Sequence, residues 1–279
     1  MRLLADLAVP LLAIGACIVL YRLGFAALAE SLFSPEGVLV TVFRRLGVIV
    51  SLFLGYWAAA RYYERRRPTE LALEPVPAAL SALLGIGLIG ATILALFALG
   101  QYRLLSVRGV SAALPLMSMI VLMVVIEEAV FRGVIFRLLE KHTGTVSALV
   151  VQSLGFGLLH LLNEGTTAVT VISVTLLGAF WSLIFVHSRN LSVVIANHAA
   201  WNLTIFVAGV PLSGAEEWRL SAPLETASEG PLWLTGGSFG PEDSVVNILV
   251  MAGAVLVLAS RTRRKGAFVA GAWESAEGS

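Results

Sequence analysis

The sequence has little charge for its length. Asp, Glu, Lys and Arg together make up 13% of the 279 residues, against about 25% in soluble globular proteins. Hydrophobic residues reach 58%, and the mean hydropathy is +0.88, so an ordinary soluble domain is excluded. No cluster of basic residues is interleaved with aromatic ones, and nucleic acid is therefore not expected as a partner.

Cysteine and lysine are scarce as well. Cys17 is the only cysteine, which excludes an internal disulfide and any zinc motif built on paired cysteines. Lys141 and Lys265 are the only lysines. This strong preference for arginine indicates a prokaryotic protein.

Long apolar runs dominate the chain instead. A transmembrane helix needs about 20 mostly apolar residues, and eight runs are close to that length. We therefore predict an all-α, polytopic membrane helix bundle of about eight transmembrane helices, forming a single integral membrane domain over residues 1–279. The predicted helices are Leu7–Ala29, Val38–Ala60, Ala78–Leu99, Leu116–Leu139, Val146–Leu162, Thr167–Val186, Leu191–Val210 and Val245–Ala259.

Basic residues predict how the chain crosses the membrane, because they concentrate on the cytoplasmic side. Clusters follow the second, fourth and eighth predicted helices, whereas residues 211–244 are acidic and contain only Arg219. Both termini are therefore predicted to be cytoplasmic, in a multi-pass protein of the cell membrane. Arg103 and Arg108 fall on the opposite side and disagree with this orientation. The clusters are Arg61, Arg65, Arg66 and Arg67; Arg137 and Lys141; and Arg261, Arg263, Arg264 and Lys265.

Two adjacent glutamates stand inside the fourth apolar run. A charged side chain at the centre of a membrane helix costs about 2.5–3.5 kcal/mol on insertion scales, so such a residue is a functional candidate by default. Glu128 and Arg132 have the i, i+4 spacing of a helical ion pair. Glu127 points about 100° away on a helix and has no local cation, as suits a general base. A neutralised cluster that only joins helices is the alternative interpretation.

Further polar residues occur in the following apolar runs. His160 lies near the end of the fifth, four residues after Phe156, and His198 and Asn202 share one face of the seventh. At about 1.5 Å per residue from the predicted cytoplasmic helix ends, these side chains reach a depth similar to that of Glu127. A lone membrane histidine is more often an interhelical hydrogen bonder. Two histidines, an amide and the Glu-Glu…Arg group at a similar depth together favour an active site within the membrane.

Three sequence motifs follow one another along these apolar runs. Their types and their order resemble the CAAX protease and bacteriocin-processing (CPBP) family, also called the type II CAAX or abortive-infection family. The resemblance covers about Leu116–Val210. It implies an intramembrane endopeptidase that hydrolyses a peptide bond near the C-terminus of a membrane-associated or lipidated protein or peptide; the eukaryotic branch acts on prenylated CAAX proteins. The motifs are Glu127-Glu128-x-x-x-Arg132, Phe156-x-x-x-His160 and His198-x-x-x-Asn202.

The resemblance also implies roles for these residues. Glu127 and His160 would activate a water, and His198 and Asn202 would stabilise the oxyanion of the tetrahedral intermediate. The glutamate–arginine pair would support them. The division agrees with the residues themselves, because Glu127 is the unpaired carboxylate, while an amide and an imidazole can donate to developing charge.

The family assignment suggests a subdivision of the domain. We expect variable N-terminal helices in residues 1–110, the catalytic core in 111–210, an extracytoplasmic loop in 211–244, and the last helix with a cytoplasmic tail in 245–279. The loop is rich in Gly and Pro, which is consistent either with a lid or with a segment that has no fixed structure.

Three alternatives remain at this point. Two histidines and a carboxylate (His160, His198 and Glu127) would suit a catalytic zinc, although a His-Glu-x-x-His helix is absent; we expect a metal-free glutamate protease that requires no cofactor. A non-catalytic membrane scaffold or immunity protein would keep the same fold. A proton-coupled transporter would also use buried Glu and His, but the sequence has no inverted repeat.

Overall fold

The computed structural model of the protein describes residues 2–28, 37–110 and 113–271. Every predicted apolar segment contains a helix, while the predicted end of the first helix at Ala29 and residues 272–279 of the tail lie outside the described residues. The α-helices are α1 (Arg2–Leu20), α2 (Val38–Ala58), α3 (Pro75–Ala98), α4 (Leu114–Glu128), α5 (Arg137–Leu159), α6 (Ala168–Ser188), α7 (Leu191–Val207), α8 (Leu232–Thr235) and α9 (Val245–Arg264).

Six helical segments in these described residues are long and apolar enough to cross a membrane. This confirms the prediction of a polytopic helical membrane bundle. One of the six is a run of 49 residues, Leu114–Leu162, and α7 has only 17 residues. The count of eight transmembrane helices therefore stays a prediction.

The 49-residue run contains a sharp break at Gly144. This glycine has φ 80° and ψ 166°, a combination that is essentially restricted to glycine. The break lies between the predicted fourth helix, which ends at Leu139, and the predicted fifth helix, which begins at Val146. The chain that follows α9 packs here: the Thr145 amide donates to the Val269 carbonyl at 2.9 Å, and the Val269 amide donates to Thr145 Oγ1 at 2.8 Å.

Three α-helices continue into π-helical turns. Tyr21–Ala26 follows α1, Ala59–Tyr63 follows α2 and Ala129–Phe136 follows α4. π-helical turns are rare in proteins, and those that occur are often located at functional sites. The third begins directly after the Glu127-Glu128 pair and contains Arg132.

Two apolar clusters hold the bundle together. The larger cluster contains residues from each of the helices α3, α4, α5, α6, α7 and α9. It includes Trp181 and Trp201, which are 1% and 0% exposed. The smaller joins α1 and α2 to α4 around Leu52 and Tyr56. Apolar side chains outside these clusters, such as Leu94 and Leu249, are largely exposed, as expected for surfaces that face lipid.

Buried and half-buried ion pairs gather at the arginine-rich end of the bundle. Arg137 pairs with Glu64 at 2.6 Å, Arg66 pairs with Glu70 at 2.7 Å, and Arg189 pairs with Glu140. The Arg137 and Arg189 pairs join α5 to the ends of α2 and α6, whereas the Arg66–Glu70 pair lies within the connection between α2 and α3. These contacts bring the predicted cytoplasmic segments together at one end.

The opposite end carries structure that the sequence analysis did not predict. Strand β1 (Tyr102–Val107) pairs antiparallel with β2 (Leu224–Ser228), with a bulge between Leu104 and Ser106. Within residues 211–244, the segment also contains α8 and the 3₁₀ turns Glu216–Ser221 and Pro241–Asp243. The structure therefore gives this segment regular secondary structure.

Replacement of Gly144 by alanine is expected to destabilise the protein. A Cβ at this position would lie 2.6 Å from the Gly271 nitrogen, and the backbone conformation costs about 1–3 kcal/mol for other residues. We expect Gly144→Ala to lower the unfolding temperature in detergent, measured by tryptophan fluorescence. Gly155→Ala, in a helical position with open space around it, should leave that temperature unchanged or raise it. Equal unfolding temperatures for the two variants would contradict this account.

Candidate active site

The two adjacent glutamates at the end of α4 have different surroundings. The side chain of Glu128 is 0% exposed, whereas that of Glu127 is 27% exposed. Glu128 points into the bundle and accepts hydrogen bonds, and Glu127 faces a cavity. The two side chains therefore point in different directions, as expected for neighbouring positions on a helix.

A buried ion pair forms the centre of the site. Arg132 Nη1 donates to Glu128 Oε1 at 2.9 Å, and both side chains are completely buried. His198 Nδ1 donates to the same oxygen at 2.8 Å. Because a carboxylate can only accept, the proton of this contact is on Nδ1 of the imidazole.

Helix α6 holds the arginine from the other side. Arg132 Nη2 donates to the Gly178 carbonyl at 2.9 Å, and Nε donates to Ser182 Oγ at 3.3 Å. The guanidinium also lies 4.7 Å from the Phe156 ring centre, within the range of cation–π attraction. The sequence analysis missed Gly178 and Ser182, because only the packing of α6 against α4 brings them to Arg132.

His198 is fixed on three sides. Its ring stacks on Trp181 with centroids 3.5 Å apart and an interplanar angle of 20°. Nδ1 is bound by Glu128, and Nε2 lies 3.9 Å from Glu127 Oε2. The side chain is 3% exposed, so its position is determined by packing as well as by hydrogen bonds.

His160 begins the 3₁₀ turn that ends α5. Its Nδ1 donates to the Phe156 carbonyl at 2.8 Å, since a carbonyl can only accept. This bond leaves Nε2 as the acceptor nitrogen of the neutral ring. The spacing of Phe156 and His160 therefore serves both this backbone bond and the contact between their rings, whose centroids are 4.6 Å apart.

One cavity of about 410 Å³ brings the predicted catalytic residues together. Glu127, His160, His198 and Asn202 all line it. Asn202 Oδ1 is buried there and has no hydrogen-bond partner among the described residues. The supporting pair, Glu128 and Arg132, lies behind this lining. The structure thus places all six predicted residues in or directly behind a single cavity.

The segment 211–244 closes part of the same cavity. Glu242 is 2% exposed and accepts hydrogen bonds from the Ser213 amide at 3.1 Å, from Ser213 Oγ at 2.6 Å and from Trp201 Nε1 at 3.3 Å. Burial raises the pKa of Glu242 to about 7. The sequence analysis treated Glu242 only as part of an acidic loop. Its position directly before the last apolar run, beside Asp243, was the available signal.

The residues of the zinc alternative do not form a metal-binding group in the described part of the chain. No set of three or more His, Cys, Asp or Glu side chains is arranged there to hold a metal ion. The nearest candidates, His160, His198 and Glu127, share the cavity, but Glu128, the further carboxylate near them, is bound to Arg132.

Comparison with known proteins gives one match. The family model for the type II CAAX prenyl endopeptidase, described as Rce1-like, matches residues 109–204. No significant match was found among curated proteins or among solved structures. The matched range contains all six predicted site residues and extends from the start of α4 almost to the end of α7. Over this region, about a third of the chain, the protein is similar to the type II CAAX prenyl endopeptidase family, and this similarity supports the resemblance to the CPBP family.

Proposed function

We propose that the protein is an intramembrane endopeptidase of the glutamate type, which hydrolyses a peptide bond near the C-terminus of a membrane-associated or lipidated substrate. The observation that carries the proposal is the contrast between the two adjacent glutamates. Glu128 is neutralised by Arg132, whereas Glu127 faces a cavity that also contains His160, His198 and Asn202.

In this proposal Glu127 is the general base. A water held between Glu127 and Nε2 of His160 attacks the scissile carbonyl carbon, and its proton moves to the Glu127 carboxylate. The proton then passes to the leaving nitrogen as the C–N bond breaks, which gives a free amine and a carboxylate. A positioned acid–base group of this kind contributes about 10²–10⁴-fold to a rate.

Asn202 and His198 stabilise the oxyanion. The Asn202 amide can donate from Nδ2 into the cavity. Nδ1 of His198 donates to Glu128, so Nε2 is the nitrogen through which His198 contacts the oxyanion. Donors fixed before the reaction stabilise developing charge without reorganisation, and the stacking of His198 on Trp181 provides that fixation.

Glu128 and Arg132 are positioning residues. They orient His198 from behind the cavity and do not touch the substrate. Removing one member of a buried ion pair strands the other charge at a cost of about 3–5 kcal/mol. The pair therefore serves both stability and the geometry of His198.

The site opens beside the segment 211–244, and we place this end outside the cytoplasm. The opposite end carries the paired arginines Arg66, Arg137 and Arg189, together with the basic end of α9. The preference of basic residues for the cytoplasmic side supports a cell-membrane protein with both termini in the cytoplasm.

Substitution of Glu127 by glutamine should abolish peptide cleavage. We expect a loss of about 10²–10⁴-fold in kcat/KM with a fluorogenic peptide library that includes a farnesylated CAAX peptide, assayed with purified protein in detergent. His160→Ala should show a similar loss. A zinc-specific chelator should leave wild-type cleavage unchanged.

A matched control for Glu127→Gln is Glu229→Gln, which removes an exposed carboxylate paired with Arg103 and should retain full activity. Loss on chelation with recovery on added zinc would replace the proposal by a zinc mechanism. Full activity of Glu127→Gln would favour a function in which the glutamate only packs, as in a scaffold or immunity protein.

Asn202→Ala should reduce kcat by about 10²–10³-fold, as for the loss of one oxyanion donor, with little change in KM. Thr204→Ala, on the same helix, removes a hydroxyl that bonds to the Ala200 carbonyl and should be nearly neutral. Steady-state kinetics of the two variants make the comparison. A change in KM alone for Asn202→Ala would assign this residue to substrate binding instead.

The pair Glu128 and Arg132 should show separate effects on stability and activity. Arg132→Met strands a buried carboxylate and should destabilise the protein by about 3–5 kcal/mol. The double variant Glu128→Met/Arg132→Met should recover most of that stability, since no charge is left unpaired, yet remain inactive because His198 loses its partner. Thermal unfolding and cleavage measured on the same samples test this. Recovery of activity in the double variant would exclude the positioning role.

A further inference from the structure

One wall of the catalytic cavity is built by residues that follow α7. Leu212, Ser213, Gly214 and Ala215, which we call the wall segment, line the cavity together with the proposed catalytic side chains. This segment lies outside residues 109–204, over which the chain matches the family model. The family similarity therefore assigns no role to this side of the site.

Ser213 has a backbone conformation that serine rarely adopts. Its φ is 48°, in the left-handed region, and among the non-glycine residues with positive φ in the described part of the chain it alone lines the cavity. Residues in this region persist only where their surroundings hold them, and they are concentrated at active sites and ligand clamps. The conformation of Ser213 therefore indicates that the fold holds it in place beside the proposed catalytic groups.

Three hydrogen bonds hold Ser213. Its amide and its hydroxyl donate to Oε2 of Glu242 at 3.1 and 2.6 Å, and its carbonyl accepts from Asn163 Nδ2 at 2.9 Å. Each polar group of this serine is thus bonded to one of two side chains. Glu242 and Asn163 are therefore the two sides of a clamp, with the strained residue between them.

Asn163 connects the clamp to the turn that carries His160. The 3₁₀ turn His160–Leu162 ends at Asn163, whose amide donates to the His160 carbonyl at 3.0 Å. The bond from the Asn163 side chain to Ser213 then joins this turn to the wall segment. The position of the wall is thus fixed relative to a residue that is proposed to hold the attacking water.

Glu242 connects the clamp to α7. Its Oε1 accepts from Trp201 Nε1 at 3.3 Å, and Trp201 directly precedes Asn202, the proposed oxyanion donor. Because Oε2 of the same carboxylate binds Ser213, one side chain ties the wall segment to the helix that carries His198 and Asn202.

The turn that carries Glu242 has attachments of its own. Asn247 Nδ2 donates to the Glu242 carbonyl at 3.0 Å. The neighbouring Asp243 accepts from the hydroxyls of Thr170 and Ser173 on α6. These bonds do not involve the wall segment, so the turn keeps its position independently of it. The carboxylate of Glu242 is therefore a fixed point to which the wall segment is attached.

Glu242 is also an unusual residue for a purely structural contact. It is 2% exposed, its donors Ser213 and Trp201 are neutral, and it forms no ion pair in the described part of the chain. Glutamate is almost never fully buried unless it is paired. Neutral acceptors would hold the same donors at a lower desolvation cost, so the presence of a carboxylate here indicates a functional role.

We propose that Glu242 and Asn163 are positioning residues of the proposed protease, which clamp Ser213 and thereby hold the wall segment against the substrate peptide in the cavity. The inference rests on the proposed function and adds to it two residues that the three sequence motifs do not contain. Neither side chain touches the reacting atoms. Both act by keeping one wall of the cavity in place relative to His160 and Asn202.

This role predicts an effect on substrate binding. When only a fraction of the molecules has the binding conformation, the apparent dissociation constant rises by the inverse of that fraction. A wall segment that is released in about nine molecules of ten would therefore raise KM about tenfold. A purely structural role has a different signature, since partial unfolding lowers the concentration of active enzyme and leaves KM unchanged.

The test measures KM for an internally quenched, farnesylated CAAX peptide with Glu242→Ala and Asn163→Ala in detergent. We expect KM to rise about tenfold in each variant, with a smaller change in kcat per folded molecule. Glu242→Gln keeps one acceptor oxygen for Ser213 and should lie between wild type and Glu242→Ala. The matched control Glu225→Gln removes a carboxylate that is paired with Arg108 outside the cavity, and it should keep the wild-type KM.

Hydrogen exchange of the wall segment, followed by mass spectrometry, gives a readout that needs no substrate. The Ser213 amide donates to Glu242 and the Gly214 amide donates to the Phe239 carbonyl at 3.2 Å, so both are protected while the clamp is closed. We expect their exchange to accelerate by at least about tenfold in the two alanine variants. Glu225→Gln should exchange at the wild-type rate.

Peptide binding is measured separately from cleavage. A fluorescent farnesylated CAAX peptide is titrated with Glu127→Gln and with Glu127→Gln/Glu242→Ala, and the dissociation constant is obtained from anisotropy. We expect the second protein to bind the peptide about tenfold more weakly. Asn163 is exposed, so Asn163→Ala in the same background provides this comparison where Glu242→Ala does not fold.

The outcomes separate this inference from the proposed function. Higher KM and faster exchange in both alanine variants support the clamp. Cleavage with an unchanged KM in both variants overturns the inference and leaves the protease function in place. Absence of cleavage by wild type, with peptide binding to Glu127→Gln weakened by Glu242→Ala or Asn163→Ala, supports the clamp as part of a binding site and rejects the protease. Absence of both cleavage and binding rejects both proposals.

Discussion

The buried pair between Glu128 and Arg132 is the interaction on which the site depends. Two charges removed from water are tolerated only when they meet with good geometry and when their remaining donors are satisfied. The guanidinium meets both conditions, because the Gly178 carbonyl and Ser182 Oγ accept from it, whereas Oε2 of Glu128 is buried without a hydrogen-bond partner among the described residues. Glu128 can then also bind Nδ1 of His198. One ion pair thus joins α4, α6 and α7 and leaves the neighbouring Glu127 free to face the cavity.

The segment 211–244 closes part of the cavity that the helices do not enclose. Glu242 accepts from Ser213, within the segment, and from Trp201 on α7, the helix that also carries His198 and Asn202. Trp201 in turn packs edge-on against Trp181, with ring centroids 6.3 Å apart, and Trp181 stacks on His198. The cover of the cavity and the imidazole that faces it are therefore connected through two buried indoles.

The parts that could be predicted from the sequence are those determined by spacing along one helix. The apolar runs locate the helices, and the i, i+4 rule pairs Glu128 with Arg132 and aligns His198 with Asn202. The gap between the fourth and fifth apolar runs, from Leu139 to Val146, contains the break at Gly144. Other contacts of the site form between elements that are far apart in the chain, so no local sequence pattern predicts them. These are the contacts of Gly178, Ser182, Trp181 and Glu242. The ribbon of β1 and β2 was missed for the same reason, since its two strands are separated by four helices and pair only after the bundle has formed.

The charged side chains of this protein fall into two groups, according to whether the fold supplies a partner of opposite charge. Where a charge is buried in the bundle, as with Arg132 or Glu140, the fold itself supplies the partner. At the edge of the cavity, Glu164 and Glu217 are exposed, and none of the described residues that line the cavity is a lysine or an arginine, although arginines in the same part of the molecule pair with other glutamates. A compensated charge contributes to the stability of the folded state whether or not a ligand is bound. An uncompensated charge makes no such contribution in the absence of a ligand of opposite charge.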